Sequence, residues 1–296
     1  SFDNCSITAR LYIRSNILTV ISSWMSLGRL AQGGFWLFMA TVISSMVGYL
    51  YLFAASKFVA PEVIGSVGVV ISLQTVITGM ISFGIPRGLQ RFLGESLGKR
   101  DHERFAQYFT TSFLFALVVN VLAAAAVISI VILGADLFAL GFIEILFVSI
   151  LLFLSGWSTV LQALFHSTLQ TIKISIATLI SSVAKFAVGI SLLFAGLDFI
   201  GIMLGYLTAY LLLDAFLLLF VIRYFADNNI RPGRSMLMIR RPLLADVLRS
   251  GLSVWVPNAL RVAGEKIGVL GVYAVASSAG AGLYFIAFSM ALVVIS

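Results

Sequence analysis

The chain has 296 residues, of which 60% are hydrophobic and only 10% charged, and its mean hydropathy is +1.09. No soluble core absorbs that much apolar surface, so an ordinary soluble domain is excluded. The net charge of +7 comes from basic residues dispersed between apolar runs, which argues against nucleic acid as a partner, and the single cysteine, Cys5, excludes a disulfide framework or a cysteine-based metal site within one chain.

Residues 1–24 are mixed in polarity, with one short apolar patch from Asn16 to Trp24 and no clear h-region or cleavage site of a signal peptide. The stretch from Met25, MSLGRLAQGGFWLF, reads as the natural start of a helical membrane protein, so translation is expected to begin at Met25 and residues 1–24 to be a tail outside the core. The first long apolar run lies between Arg29 and Lys57 and the second between Glu62 and Arg87, with Pro61 marking the turn. The third spans Phe105 to Ala135 and the fourth Ile145 to Ile172, separated by a turn near Gly134, Asp136 and Gly141. A fifth, Ile174 to Leu197, is interrupted only by Lys185, and a sixth, Phe199 to Ile222, only by Asp214. After a polar connection come a seventh run, Gly251 to Tyr273, and an eighth from near Gly280 to Ser296, which reads as a truncated helix. Uncharged runs of about 18 residues or more cross a bilayer core of roughly 30 Å. Backbone groups in lipid must be paired within the segment, so each run predicts a helix; the alternating pattern of a membrane β-barrel is absent. The expected fold is all-α, a polytopic membrane helical bundle of eight spans.

Lys and Arg in alternate loops set the expected orientation. Arg87, Arg91, Lys99, Arg100, Arg104, Lys173, Arg223, Arg231, Arg234, Arg240, Arg241 and Arg249 fall in one set, and only Lys57 in the other. By the positive-inside rule the first set, and the N-terminus with it, faces the cytoplasm of a multi-pass cell-membrane protein.

The first two runs share a plan with the last two: a long span, a short outer turn, and a Gly-led span, GSVGVVISLQTVI against GLYFIAFSMALVV. At an offset of 217 residues Gly65 meets Gly282, Ser72 meets Ser289 and Val76 meets Val293. The ordered set GRLAQGGFWLFMATVISSMVGYLYLFAASKFVAPEVIGSVGVVISL, FGIPRGLQRFLGESLGKRD and GLSVWVPNALRVAGEKIGVLGVYAVASSAGAGLYFIAFSM resembles the polysaccharide-biosynthesis flippases of the multidrug/oligosaccharidyl-lipid/polysaccharide exporter superfamily. The resemblance implies two helical lobes around a central cavity, alternating access, and movement of an undecaprenyl- or dolichyl-linked oligosaccharide across the cytoplasmic membrane. Residues 25–223 would then form a six-helix lobe, 224–249 a cytoplasmic connection, and 250–296 the first two helices of a truncated second lobe. Implied partners are the polyprenyl-linked substrate, the bilayer, and glycosyltransferases or a polymerase of the same pathway. No cofactor and no enzymatic activity are implied.

Charges inside spans cost roughly 2.5–3.5 kcal/mol each on insertion scales, so they mark cavities or partners. The densest group is Arg261, Glu265 and Lys266 in span seven. Arg261 and Glu265 are four apart and share a helix face, whereas Lys266 points about 100° away. Pro257 and Asn258, one turn earlier, make this face polar and leave backbone hydrogen bonding incomplete. Arg261, Lys266 and Asn258 are therefore candidates for binding the pyrophosphate or acidic sugars, and Glu265 for orienting Arg261 or for ion coupling; the plainer alternative is a structural ion pair. Lys185 and Asp214, on neighbouring spans, could pair as packing glue or as a coupling site. Arg87 and Arg91, four apart if the helix continues past Pro86, would attract an anionic headgroup or simply anchor the span.

His102 and His166 have no partner at metal-ligand spacing. The stretch from Gly94 to Gly98 lacks the strand and the lysine and serine or threonine spacing of a phosphate-binding loop. Phe35, Trp36, Tyr49 and Trp157 read as lipid-facing or packing groups. Three alternatives compete with a flippase. A cation-coupled drug or metabolite antiporter of the same superfamily commonly carries an acid in the first span, and Leu30 to Ser56 has none. A membrane-embedded glycan-assembly enzyme would want clustered carboxylates or basic residues in a large outer loop, and the outer loops here are short and nearly uncharged. A scaffold would have no use for the charges of span seven.

Overall fold

The computed structural model describes residues 29–133, 140–228, 230 and 239–295. The expected start at Met25, the tail 1–24, the turn residues Gly134 and Asp136, and Arg231 and Arg234 lie outside the described residues. Among those described, every regular element is a helix: α1 (Arg29–Ala55), α2 (Pro61–Ile81), α3 (Ile85–Gly98), α4 (His102–Ile132), α5 (Phe142–Ser167), α6 (Thr171–Phe194), α7 (Asp198–Asp227), α8 (Arg241–Val275) and α9 (Ser278–Ile295).

Six of these, α1, α2, α4, α5, α6 and α7, are long and apolar enough to cross a membrane. Of the eight spans expected, the last two fall short of that measure for different reasons. α8 is 35 residues long but carries its charges within the run, and α9 is apolar over only Ser278–Ala291 of the described residues. α8 also begins at Arg241, ten residues before the expected Gly251, because Pro242 suits a helix's first turn and the segment that follows is amphipathic. The expected polar connection is shortened accordingly.

The second expected run does not continue to Arg87. α2 stops at Ile81, Phe83 and Gly84 turn through left-handed φ values of 45° and 70°, and α3 restarts as a separate helix with Pro86 in its first turn. α3 is amphipathic: Ile85, Gly88, Leu89, Leu93 and Ser96 are buried at helical spacing. That face packs against α4, α5 and α8.

α5 is the best-buried span and divides the core. At the end of the bundle opposite α3, Val148 and Leu151 pack with Tyr51, Ile64, Val67, Val70, Ile202 and Met203. At the α3 end, Leu161, Leu164 and Phe165 pack with Leu89, Leu93, Phe105, Leu217 and Val247. The α3 end carries the basic residues. The first turns at the other end hold Glu62, Glu144 and Asp198, each placed to complement a helix N-terminus.

The 217-residue offset reappears in space. A side chain on Gly65 would strike the carbonyl of Ser278, and one on Gly282 would strike the carbonyl of Pro61; the two contacts interchange under the offset. Gly68 meets Phe285, its own counterpart. This reciprocity defines a local two-fold relation between α2 and α9.

Candidate functional site

A cleft lies between α8 on one side and α2, α3 and α5 on the other. Thr78 and Gly79 of α2, Ser82 and Gly84 of the break, Pro86 and Arg87 of α3, and Thr159 of α5 form one side; Val254, Trp255 and Asn258 of α8 form the other. Irregular backbone at membrane depth persists where it lines a cavity or is buried in protein, and the α2–α3 break meets that condition here. The two walls are held at close range by glycine, since a Cβ on Gly84 or Gly251 would overlap the other's backbone.

The lining mixes apolar surface with the hydroxyls of Thr78, Ser82 and Thr159, the Asn258 amide and one cation, Arg87, and no carboxylate belongs to it. Arg87 donates only a long hydrogen bond, 3.4 Å, to Gln90 on its own helix, and no carboxylate among the described residues pairs with it. The Asn258 carbonyl accepts from Arg261 at 3.1 Å, and Arg261 also pairs with Glu265, so one side chain of the wall is tied to the ion pair behind it. Thr78 extends inward to a buried polar cluster: Gln74 donates to Thr78 at 3.0 Å and to Ser155 at 2.7 Å, and the two hydroxyls lie 2.9 Å apart.

The other expected site residues disperse. Arg91 donates to Ser250 at 3.3 Å and ties α3 to α8 instead of facing the cleft. Lys266 lies over the Phe288 ring of α9, 5.6 Å from its centroid. Lys185 and Asp214 do not pair. Lys185 turns toward α1, between the Tyr206 and Tyr51 rings at 4.6 and 5.6 Å, where Gly48 leaves room. Asp214 accepts from Ser158 of α5 through one oxygen, and its other oxygen has no partner among the described residues. The tight α6–α7 contact, with Gly189 and Gly205 pressed on the Tyr51 hydroxyl, rotates the two charges onto different neighbours. No group of three or more metal-ligating side chains occurs among the described residues.

Thr78, Ser82, Thr159 and Trp255 were not singled out from sequence. The cue available was the polar run Ser155-Gly-Trp-Ser-Thr159 inside an apolar span, since hydroxyl and indole groups in lipid seek partners.

Six apolar helices packed around a buried centre make this a polytopic α-helical membrane protein. Residues 30–296 match the family model described as polysaccharide biosynthesis protein, and the chain belongs to that family. Its fold is similar to that of several solved structures. The MATE multidrug transporter DinF-BH aligns at a TM-score of 0.67 and 16% identity, over 91% of this chain and 61% of that one. A MATE in complex with MaD3S aligns at 0.65 and 17%, over 90% and 62%. A chain named only protein A aligns at 0.73 and 14%, over 91% and 61%. The chain thus spans about three fifths of the length of these structures. No curated protein matches the sequence closely enough to count as a relative.

Proposed function

We propose that the protein moves a lipid-linked oligosaccharide across the cytoplasmic membrane by alternating access, with its N-terminal side in the cytoplasm and α8 and α9 opening a second lobe. The supporting observation is the cleft itself: Arg87 lines one wall and Asn258 the other with no carboxylate in the lining, and Arg261, paired with Glu265, stands directly behind Asn258. A planar guanidinium bonds two oxygens of a phosphate at once, which suits the pyrophosphate of such a substrate. Glycosyltransferases or a polymerase acting on the same glycan are the natural protein partners. The test is export in a flippase-deficient strain by full-length protein. Arg87→Ala and Arg261→Ala are each expected to lower export about tenfold or more, the scale of a lost charge-assisted hydrogen bond. Unchanged export in both variants at normal protein levels would refute the assignment.

A second reading, cation-coupled export of drugs or metabolites, is favoured by the likeness to MATE structures. Against it stand the absence of an acid from α1 and the presence of Arg87 in a cleft lining without a carboxylate, which repels a cationic drug. Accumulation of a fluorescent cation in cells lacking the protein, reversed by its expression, would favour this reading over the first.

A further inference from the structure

Behind the α2–α3 break the cleft continues into a small chamber walled by α2, α3, α4 and α5, with no part of α8. Thr78, Ser82, Pro86 and Thr159 line both, so the chamber opens from the inner wall of the cleft. It has room for about one water-sized group. Asn120 of α4 and Gly156 of α5 close it in contact with each other, and a side chain on Gly156 would overlap the Asn120 carboxamide. Asn120 is only 5% exposed. Its amide N–H donates to the Ala116 carbonyl at 2.7 Å, which fixes the rotation of the carboxamide, and its oxygen has no hydrogen-bond partner among the described residues. An acceptor left unpaired inside a membrane helix is costly, and such groups mark places where a partner arrives.

The hydroxyls around the chamber already have their hydrogens engaged. Thr159 donates to the Gly156 carbonyl at 2.8 Å, and Ser82 to the Gly79 carbonyl at 2.9 Å. Ser155 donates to the Leu152 carbonyl at 3.1 Å, so the hydrogen in its 2.9 Å contact with Thr78 comes from Thr78. These side chains therefore present acceptors and no donor. Their complement is a hydrogen-bond donor, and with Arg87 adjacent to Pro86 an uncharged donor suits the chamber better than a cation. A single hydroxyl matches both the size and the polarity, whereas a whole sugar ring is too large.

We infer that Asn120 reads one hydroxyl group of the sugar carried directly on the pyrophosphate, accepting its hydrogen bond in this chamber while Arg87 engages the phosphate. The inference rests on the flippase reading and adds to it a determinant of which glycan is accepted. The first sugar is the part within reach, because the chamber shares four residues with the cleft that Arg87 lines. A site that hydrogen-bonds a hydroxyl rejects the analogue lacking it, since its acceptor is then left unpaired.

The test uses full-length protein in lipid nanodiscs and short-chain polyprenyl pyrophosphoryl glucose, its galactose epimer, and the monodeoxy analogues of each. One deoxy position is expected to weaken binding to the wild type about tenfold. In Asn120→Leu that difference is expected to shrink below about twofold, with a melting temperature no lower than that of the wild type, because the substitution removes a buried unpaired oxygen. Thr159→Val, which keeps the side-chain shape and removes an acceptor, is expected to act in the same direction by a smaller factor. A deoxy penalty that persists in Asn120→Leu and in Thr159→Val would overturn the inference, as would a fall in melting temperature that accompanies an unchanged penalty in Thr159→Val. Wild-type protein that binds every deoxy analogue within twofold of its parent leaves the chamber to an ordered water and removes the sugar contact alone. Wild-type protein that binds none of the pyrophosphates removes the flippase reading as well.

Discussion

At the scale of single residues, the charges within the membrane differ in what they touch. Arg261 is held by Asn258 and Glu265, Lys185 by two tyrosine rings, and Asp214 by one serine hydroxyl. Asp214→Leu leaves the Ser158 hydroxyl buried without its acceptor and is expected to cost about 1–3 kcal/mol, read as a lower melting temperature in detergent, whereas Asp214→Asn keeps an acceptor and restores most of it. Equal melting for the two variants would show that the hydrogen bond contributes nothing. Outside the membrane, Lys99 donates to Glu95 at 2.6 Å on α3, and this bond and its charge hold the Glu95 carboxyl below the usual carboxylate range. A carboxyl held low by folding favours the folded state above its unfolded value, and that contribution disappears as pH falls through the folded one. The group is fully exposed, so the effect is small. Lys99→Gln is expected to return the NMR titration midpoint of Glu95 toward the ordinary range; a midpoint that stays put would remove the pair as the cause. The charges themselves were visible in the sequence. Their partners were not, since Lys185 and Asp214 lie 29 positions apart and no spacing rule relates residues on two packed helices.

At the scale of elements, the break between α2 and α3 organises the site. Read as one continuous run, residues 62–87 place Arg87 and Arg91 on the end of span two. The turn at Phe83 and Gly84 instead sets α3 as a separate amphipathic helix, so that Arg87 lines the cleft and Arg91 reaches Ser250. The sequence signals were Gly84, which tolerates many conformations, and Pro86, whose fixed φ suits a turn and the first turn of a helix alike, so neither by itself specifies a break. Gly84 is needed twice over: its φ is 70°, and its Cα faces the backbone of Gly251. Gly84→Ala is expected to destabilise the protein by about 1–3 kcal/mol from backbone strain and to push α3 off α8. Gly251→Ala keeps an ordinary helical conformation, so it isolates the packing part. Thermal unfolding of the two variants, side by side, separates strain from contact; wild-type stability in Gly84→Ala would refute both.

At the scale of the whole molecule, the reciprocal contact of Gly65 with Ser278 and of Gly282 with Pro61 gives the sequence offset a physical meaning, because two copies of one helix pair meet on a local axis. Gly65→Leu and Gly282→Leu are therefore expected to harm stability and export to a similar degree, as equivalent positions should; a tolerated change at one and a damaging change at the other would break the equivalence. Sidedness is testable on the same scale. In a Cys5→Ser background, Arg100→Cys is expected to react with a membrane-impermeant thiol reagent only from the cytoplasmic side, and Lys57→Cys only from outside. The reverse pattern would invert the proposed orientation. Length, charge and hydropathy by themselves determined that this chain is a helical membrane bundle and where six of its spans lie, because lipid leaves the backbone only the helix or the closed barrel and long apolar runs without alternation fit the helix. Which polar residues share a wall was decided only by the tertiary structure. Helix rotation and approach are set by where glycines let backbones touch, at Gly65, Gly84, Gly251 and Gly282, and hydropathy is blind to that contact.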